Sequence, residues 1–286
     1  MVSLFSKASE MDIRRFVPGK ANKVLRMMHT GVRTCIEYVV SQYFEFVCPV
    51  CDKKVKEFLP LSTFYVENKR KYGNPYTVSD LETLNDRHYS CPHCSASDRD
   101  RLYALYFRQR FPQPDSVPSI RLLDIAPSRS LRIFLSRYKL FTYRSADLTM
   151  EGVDDKVDIT DMSIYRNASF DVFICSHVLE HIPDDKKALS ELFRVLRPEG
   201  WGILMVPINL VITQIDEDPS ITDVGERWRR FGQHDHIRLY SKQGFLARVE
   251  NAGFIVHQFG VGYFGTQAFQ KHGISEKSVL YVVEKP

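Results

Sequence analysis

The clearest alternation of apolar and polar positions runs from Phe170 to Pro207 and predicts a strand, a polar loop, an amphipathic helix and a second strand. Within the helix, apolar residues recur at three- and four-residue spacing, which is typical of a helix that packs one face on a sheet. These residues are Leu189, Leu192, Phe193 and Leu196. Pro198 and Gly200 are expected to end the helix, and Trp201–Val206 is apolar enough for a strand covered on both faces. This order is a βαβ crossover, so the sequence predicts a parallel sheet and an α/β fold.

Other apolar runs extend this sheet, and one long insertion interrupts it. Ser119–Asp124 is expected to be the first strand and Phe141–Ala146 the second. Ile208–Gln233 is rich in charge with interleaved aromatic residues and has no clear period. Long loops inside compact domains are usually functional or disordered, so we expect this insertion to act as a lid over a bound substrate.

Three segments can be distinguished along the chain. Residues 1–46 contain a predicted helix, Asn22–Phe46, in which apolar and basic positions are mixed. This helix either docks on the rest of the protein or touches a membrane surface or a partner subunit. Residues 47–112 hold paired cysteines and a second predicted helix, Asp98–Arg110, and residues 118–286 supply the α/β domain.

Composition limits the class of protein. The 286 residues, 44% hydrophobic and 26% charged, suffice for one large domain and a smaller one. The net charge of +4 is modest and the basic residues are scattered, which argues against a nucleic-acid partner. We expect no transmembrane segment, because no long apolar run is present, and no secretory leader. Six cysteines, four of them in two CxxC pairs, fit a metal site in a reducing cytoplasm.

The two cysteine pairs, Cys48-Pro-Val-Cys51 and Cys91-Pro-His-Cys94, predict a zinc-binding module. Each CxxC forms a tight knuckle, and two facing knuckles give the tetrahedral four-sulfur geometry that Zn²⁺ accepts. Because protein fills all four positions, the ion is expected to be structural. His93 lies inside one knuckle and is expected to be a bystander. A redox CxxC pair is the alternative, but no thioredoxin-like pattern surrounds either pair.

The motifs of the central segment resemble those of class I S-adenosylmethionine (SAM) dependent methyltransferases. The matching stretches are FDV from Phe170, VLEH from Val178 and the helix end ELFRVLRPEG from Glu191. The resemblance implies a Rossmann-like seven-stranded methyltransferase sheet whose last strand, Val279–Val283, lies antiparallel at the edge. With its CPxC pairs and the FGQHDH run from Phe231, the chain is similar to bacterial methyltransferases associated with surface-polysaccharide synthesis.

The same resemblance implies a cofactor site at the carboxyl ends of the strands, where open α/β sheets bind ligands. The glycine-rich turn of the family corresponds to Asp124–Ser130, in which small residues replace every glycine. Backbone N–H groups can still approach a ligand there, but any position with positive φ would be strained. The implied cofactor-binding residues are Asp124, Ala126, Ser128, Asp147, Leu148, Asp158, Ile159, Ser176 and His177.

Individual roles follow from the resemblance. Asp147 would accept the ribose hydroxyls, although a solvated turn aspartate is the alternative. Asp158 would accept a hydrogen bond from the adenine amino group, and Ile159 would pack on the ring. Ser176 and His177 would face the methionine portion and the methyl group.

Candidate catalytic residues lie on the acceptor side. Methyl transfer is an in-line displacement, so the enzyme mainly aligns the acceptor with the methyl group. A hydroxyl acceptor also loses a proton, which favours a histidine base near neutral pH. The candidates are His177, His181, His234 and Asp235, with His234 and Asp235 as the preferred pair. His181 could instead orient its turn, His236 could be a packing residue, and the use of a catalytic divalent metal stays open.

The resulting prediction is SAM-dependent O-methylation of a sugar, glycan or other small hydroxyl acceptor, with structural Zn²⁺. One alternative is an RNA or protein methyltransferase whose zinc module binds the substrate, and strong salt-dependent affinity for RNA would favour it. Another is a SAM-binding protein without turnover, which the missing glycines motivate. The acceptor and the oligomeric state are left unspecified.

Overall fold

The computed structural model describes residues 46–113 and 119–286. The first of these segments contains strands β1 (Phe46–Val47) and β2 (Lys54–Val55) and helices α1 (Thr63–Lys71) and α2 (Asp98–Arg110). The bounds of α2 confirm the predicted helix. The predicted helix Asn22–Phe46 lies outside the described residues, apart from Phe46, which begins β1.

The second segment carries the main sheet and the helices that cover it. Its elements in chain order are β3 (Ile120–Ile125), α3 (Arg129–Leu135), β4 (Phe141–Asp147), β5 (Asp155–Lys156), β6 (Phe170–Ser176), α4 (Asp185–Val195), β7 (Leu196–Met205), β8 (Ile208–Asn209), β9 (Asp216–Glu217), α5 (Val224–Phe231), β10 (Arg238–Ser241), α6 (Lys242–Asn251), β11 (Ile255–Phe259), α7 (Val261–Phe264), α8 (Thr266–Lys271) and β12 (Leu280–Glu284). A 3-10 turn, Leu179–His181, follows β6. Within the described ranges, no helix is both long and apolar enough to cross a bilayer.

Seven strands form one twisted sheet in the order β11-β12-β7-β6-β3-β4-β5. The pairs from β7 to β5 are parallel, which confirms the predicted α/β fold with a mostly parallel sheet. Strand β3 lies between β4 and β6, so the chain winds to one side of β3 and then to the other. This change of direction opens a crevice at the carboxyl ends of β3 and β6, the usual ligand position in such sheets.

The last strand, β12, corrects one expectation. It runs antiparallel to its neighbours, as predicted, but it pairs with both β7 and β11. The predicted edge position is therefore wrong, because β11 occupies the edge. The physical reason is burial: Leu280–Val283 is continuously buried, as a strand with two neighbours requires, whereas β11 is half exposed.

The predicted crossover between β6 and β7 is confirmed. The Asp184 side chain accepts a hydrogen bond from the Lys187 N–H at the start of α4. Leu189 and Leu192 are buried on the face of α4 that the apolar spacing predicted. The predicted end of this helix is wrong: the helix ends at Val195, and the next strand begins directly at Leu196, so Pro198 and Gly200 lie inside β7.

The insertion 208–233 is folded and not an irregular loop. Its short strands β8 and β9 pair with β10, and its helix α5 presents Trp228 to α1. The Trp228 indole is 3% exposed and stacks parallel to the Tyr72 ring at 6.4 Å. Two-residue strands and an eight-residue helix are too short to show a period, which is why the sequence suggested a loop.

Candidate active site

The turn after β3 contains the strained conformation that the missing glycines led us to expect. Ala126 has φ +53°, and its N–H donates to the Ala146 carbonyl at 2.9 Å. Ser128 precedes α3, and its hydroxyl accepts a hydrogen bond from the Leu131 N–H. A non-glycine residue in this conformation costs about 1–3 kcal/mol, and such strain clusters at ligand sites.

Asp124 lies beneath this turn and not on its surface. Its carboxyl group is buried and accepts a hydrogen bond from the Tyr143 hydroxyl at 2.8 Å. Burial raises the pKa of Asp124 to about 7. The residue joins β3 to β4 and thereby supports the turn above it.

Two further aspartates stand at the same edge of the sheet. Asp147 Oδ1 accepts hydrogen bonds from the Thr149 and Met150 N–H groups at 2.7 and 2.6 Å. Asp158 Oδ1 accepts hydrogen bonds from the N–H and the hydroxyl of Thr160, both at 2.8 Å. In each carboxylate Oδ1 therefore orders its own turn, whereas Oδ2 accepts no hydrogen bond from another described residue. Of the two apolar candidates, Leu148 is exposed and Ile159 is buried.

Helix α2 brings two residues to this edge that the sequence analysis missed. The Tyr103 hydroxyl is 2.8 Å from Ser176 Oγ, at the carboxyl end of β6. Arg99 lies one turn earlier on the same helix, and its guanidinium acts with burial to lower the pKa of His177. The four-residue spacing of Arg99 and Tyr103 is visible in the sequence, but nothing there indicates which face of the helix meets β6.

Glu180, in the turn after β6, is the centre of a cluster of imidazoles. Its side chain is 0% exposed, and Oε1 lies 3.2 Å from His177 Nδ1. The Nε2 atoms of His181 and His236 are each 3.9 Å from the same oxygen. Neither carboxylate oxygen receives an aligned hydrogen bond from another described residue. The short contact with His177 is a close approach of the two groups without hydrogen-bond geometry.

Asp235 connects two of the predicted catalytic histidines. Its Oδ2 is 3.5 Å from His181 Nδ1, and its Oδ1 is 3.7 Å from His234 Nδ1. The Asp235 backbone carbonyl also lies 3.3 Å from His181 Nδ1. The structure therefore brings His177, His181, His234 and Asp235 together, and it adds His236, which is 3% exposed, to the same group.

Burial and mutual proximity shift the pKa values of the cluster. Burial lowers the pKa of His177 and of His236 to about 4 each. Burial opposes ionisation of Glu180, but the neighbouring histidines, His177 foremost, lower its pKa to about 2. The carboxyl group and the imidazoles therefore titrate as one coupled set.

The turn that carries Glu180 is held by a buried arginine, Arg238 on β10. Its guanidinium donates hydrogen bonds to the carbonyls of Leu179 at 2.6 Å, Pro183 at 3.0 Å, and Ile182. It also contacts the Glu217 carboxylate at 3.0 Å. These bonds fix the backbone on both sides of the cluster.

The four paired cysteines form a second cluster. The Cys48 and Cys94 sulfurs are 3.7 Å apart, those of Cys51 and Cys91 are 3.8 Å apart, and all four lie within 4.8 Å of one another. Four sulfurs at ~2.3 Å from one zinc ion form a tetrahedron with edges of ~3.8 Å, so these residues could hold Zn²⁺. His93 is exposed and outside the cluster.

This cysteine cluster lies against the turn after β3. The Ser130 hydroxyl, at the start of α3, donates to the Cys94 carbonyl at 2.6 Å. Helix α2 begins four residues after Cys94, where the Ser97 side chain caps it. The cysteine knuckle and the candidate cofactor turn therefore share a direct bond.

Comparison with known proteins agrees with this geometry. Residues 96–258, more than half of the chain, match the family model described as a methyltransferase domain. A ubiquinone/menaquinone biosynthesis C-methyltransferase from Brucella anthropi is 29% identical over 126 residues, covering 36% of this chain and 46% of that protein. The chain thus spans less than half the length of this curated relative.

Solved structures with a similar trace include two methyltransferases. A SAM-dependent methyltransferase from Archaeoglobus fulgidus has a TM-score of 0.42 at 13% identity, over 65% of this chain and 94% of that one. Phosphoethanolamine N-methyltransferase 2 from Haemonchus contortus, solved with SAM, has a TM-score of 0.41 at 15% identity, over 64% of this chain and 52% of that one. On the match to the family model, the chain belongs to the methyltransferase-domain family.

Proposed function

We propose that the protein transfers the methyl group of SAM to a hydroxyl oxygen of a small acceptor, with a sugar or glycan hydroxyl as the class to test first. The observation that carries this proposal is the Asp235 carboxylate, whose oxygens face His234 and His181 beside the end of β6. A carboxylate behind an imidazole fixes the orientation of the ring, so that its other nitrogen can meet the proton of an acceptor. This arrangement suits an acceptor that must lose a proton.

The cofactor would lie across the carboxyl ends of β3, β4 and β6. SAM supplies a methyl group on a sulfonium sulfur, and S-adenosylhomocysteine leaves. Asp147 would accept the ribose hydroxyls and Asp158 the adenine amino group, each through the oxygen that its own turn leaves available. The Arg99 guanidinium, which forms no ion pair with another described residue, would hold the methionine carboxylate next to Tyr103 and Ser176.

Two substitutions separate the two ends of this cofactor site. Asp147→Ala is expected to weaken binding of both S-adenosylhomocysteine and methylthioadenosine by about 1–3 kcal/mol, because both ligands carry the ribose. Arg99→Gln is expected to weaken only S-adenosylhomocysteine, because methylthioadenosine lacks the carboxylate. Calorimetric titration of both variants with both ligands measures this. Equal losses for the two ligands in Arg99→Gln would contradict the carboxylate assignment.

His234 is the proposed proton acceptor. Its side chain is 55% exposed, and Asp235 is the carboxylate that lies beside it. His181 is turned toward Glu180 and His236, so it is less accessible to a substrate. His234 would take the hydroxyl proton while the acceptor oxygen forms its bond to the methyl carbon.

His234→Gln is expected to lower the rate of S-adenosylhomocysteine formation by about 10²–10⁴-fold, the usual contribution of a general base. The affinity for S-adenosylhomocysteine should stay unchanged. The measurement is a coupled product assay over a panel of sugar, sugar-nucleotide and phenolic hydroxyl acceptors. His257→Gln is the matched control, because His257 pairs with Glu284 on β11 and β12, away from the cluster. Loss of cofactor affinity in His234→Gln would instead indicate a structural role.

Transfer to carbon is the second candidate, favoured by the similarity to a C-methyltransferase over 46% of that relative. A product made with ¹³C-methyl SAM distinguishes the two, because O-methyl and C-methyl carbons differ widely in chemical shift. A product with an O-methyl signal supports the proposed hydroxyl acceptor. A product with a C-methyl signal contradicts it and supports transfer to carbon.

The four cysteines would bind one structural Zn²⁺. The sulfur–sulfur distances fit a tetrahedral site, and protein ligands fill every position. In this role residues 47–112 form a module that supports the cofactor turn through the bond between Ser130 and Cys94.

A further inference from the structure

Glu180, His181 and His236 form a set of possible metal ligands separate from the cysteines. One ligand atom from each lies within 4.8 Å of the others, and both histidines direct Nε2 at the same carboxylate oxygen. We propose that this set binds a divalent first-row transition-metal ion, such as Zn²⁺ or Mn²⁺, that contacts the acceptor.

The burial of Glu180 supports a bound cation. Its carboxylate is fully buried, and neither oxygen receives an aligned hydrogen bond from a described residue. A buried anion without such partners is costly unless a cation or a proton compensates it. The nearby Arg238 guanidinium does not do so, because it donates to the backbone carbonyls of Leu179, Ile182 and Pro183 and to Glu217.

The outer contacts of His181 match those of a metal-bound histidine, whereas His236 Nδ1 has no hydrogen-bond partner among the described residues. A ligating histidine commonly makes its other ring nitrogen available to a carboxylate or a carbonyl, which orients the ring. His181 Nδ1 lies 3.5 Å from the Asp235 carboxylate and 3.3 Å from its backbone carbonyl, while Nε2 faces Glu180. Asp235 therefore holds the ring in the orientation that a ligand at Nε2 requires.

The donor set suits a catalytic metal. Two histidines and one glutamate are a known catalytic donor set, and three protein ligands would leave at least one coordination position for an acceptor. Ligand atoms ~2.1 Å from one ion in a tetrahedron lie ~3.4 Å apart, so the observed 3.9 Å contacts need to shorten by about 0.5 Å. His181, one-third exposed, is the ligand of the three that reaches the surface.

The role of this ion rests on the proposed function. An acceptor hydroxyl bound to the ion has a lowered pKa, so its proton passes more readily to His234. The oxygen lone pair then forms the bond to the methyl carbon, and the carbon–sulfur bond breaks with its electron pair remaining on sulfur. S-adenosylhomocysteine and the methylated acceptor are the products.

The number of metal ions bound per chain tests the proposal. It is measured on the full chain with its cysteine site loaded with Zn²⁺. Titration with Mn²⁺, followed by electron paramagnetic resonance and by elemental analysis, should show one bound Mn²⁺ besides the zinc. Glu180→Gln and His236→Gln should abolish the Mn²⁺ site, and Asp235→Asn should weaken it by about 10–100-fold. His234→Gln is the matched control and should retain it.

Because Glu180 and His236 are buried, their variants could fail to fold, so His181→Asn and Asp235→Asn provide the decisive comparison. Unchanged Mn²⁺ affinity in both, or no metal beyond the cysteine-bound zinc in the unsubstituted chain, overturns the proposal. S-adenosylhomocysteine binding is measured on the same samples. Cofactor binding without the second metal rejects this inference alone, whereas metal binding without cofactor binding rejects the proposed function.

Discussion

Substituting Cys94 by serine is expected to remove the bound zinc and, in the same variant, to weaken S-adenosylhomocysteine binding at least tenfold. A structural zinc site contributes directly to folding free energy, because its ligands are held together by the ion. Cys94 also contacts the candidate cofactor turn directly, since its carbonyl accepts the 2.6 Å bond from Ser130. Displacement of this knuckle also affects the start of α2, which carries Arg99 and Tyr103.

Two control substitutions separate the effect of zinc loss from the effect of losing the bond between Ser130 and Cys94. Ser130→Ala removes only the bond to the Cys94 carbonyl and should cost about 1 kcal/mol of cofactor affinity while zinc stays bound. His93→Gln alters an exposed residue of the same knuckle and should change neither quantity. Zinc content by elemental analysis, cofactor affinity by calorimetry and circular dichroism are measured together. A folded, zinc-free Cys94→Ser variant with unchanged cofactor affinity would refute the coupling.

Arg238→Gln is expected to lower the free energy of unfolding by about 3–5 kcal/mol, the usual cost of removing one member of a buried charged network. Arg238 is 1% exposed, and its loss removes a buried donor from three carbonyls around the turn of Glu180. It also leaves Glu217 with Arg248 as its remaining basic partner.

The exposed pair Arg229 and Glu226 provides the control for Arg238. Arg229→Gln breaks a surface ion pair on α5 and should leave the free energy of unfolding nearly unchanged, because solvent screens the pair. Denaturant unfolding of the two variants beside the unsubstituted chain gives the difference. If the two substitutions have equal effects, Arg238 does not support the turn as described.

The sequence was sufficient to predict the parallel strands, because they are continuous apolar runs, and the crossover helix, because its apolar residues have a clear period. The bounds of α2 were also predicted correctly, although the helix is buried on most sides and has no such period; Ser97 caps its start. The neighbours of β12 were not predictable, since strand order depends on pairing between distant segments. The folded insertion was missed because its elements are too short to show periodicity.

The candidate site was predicted in part. The strand ends and the predicted histidines were identified from motifs, and the structure brings the histidines around Glu180. Two features depended on tertiary contacts alone. Tyr103 meets Ser176 across 73 positions of sequence, and His236 reaches Glu180 across a folded insertion, so no local pattern could indicate either contact.

The account depends on a cofactor site at the carboxyl ends of β3, β4 and β6, built around a turn without glycine. Calorimetric titration of the zinc-loaded chain with SAM and with S-adenosylhomocysteine tests this most directly. The account predicts micromolar binding of both ligands, with one site per chain. Absence of binding by both, in folded protein shown to be free of copurified cofactor, would contradict it.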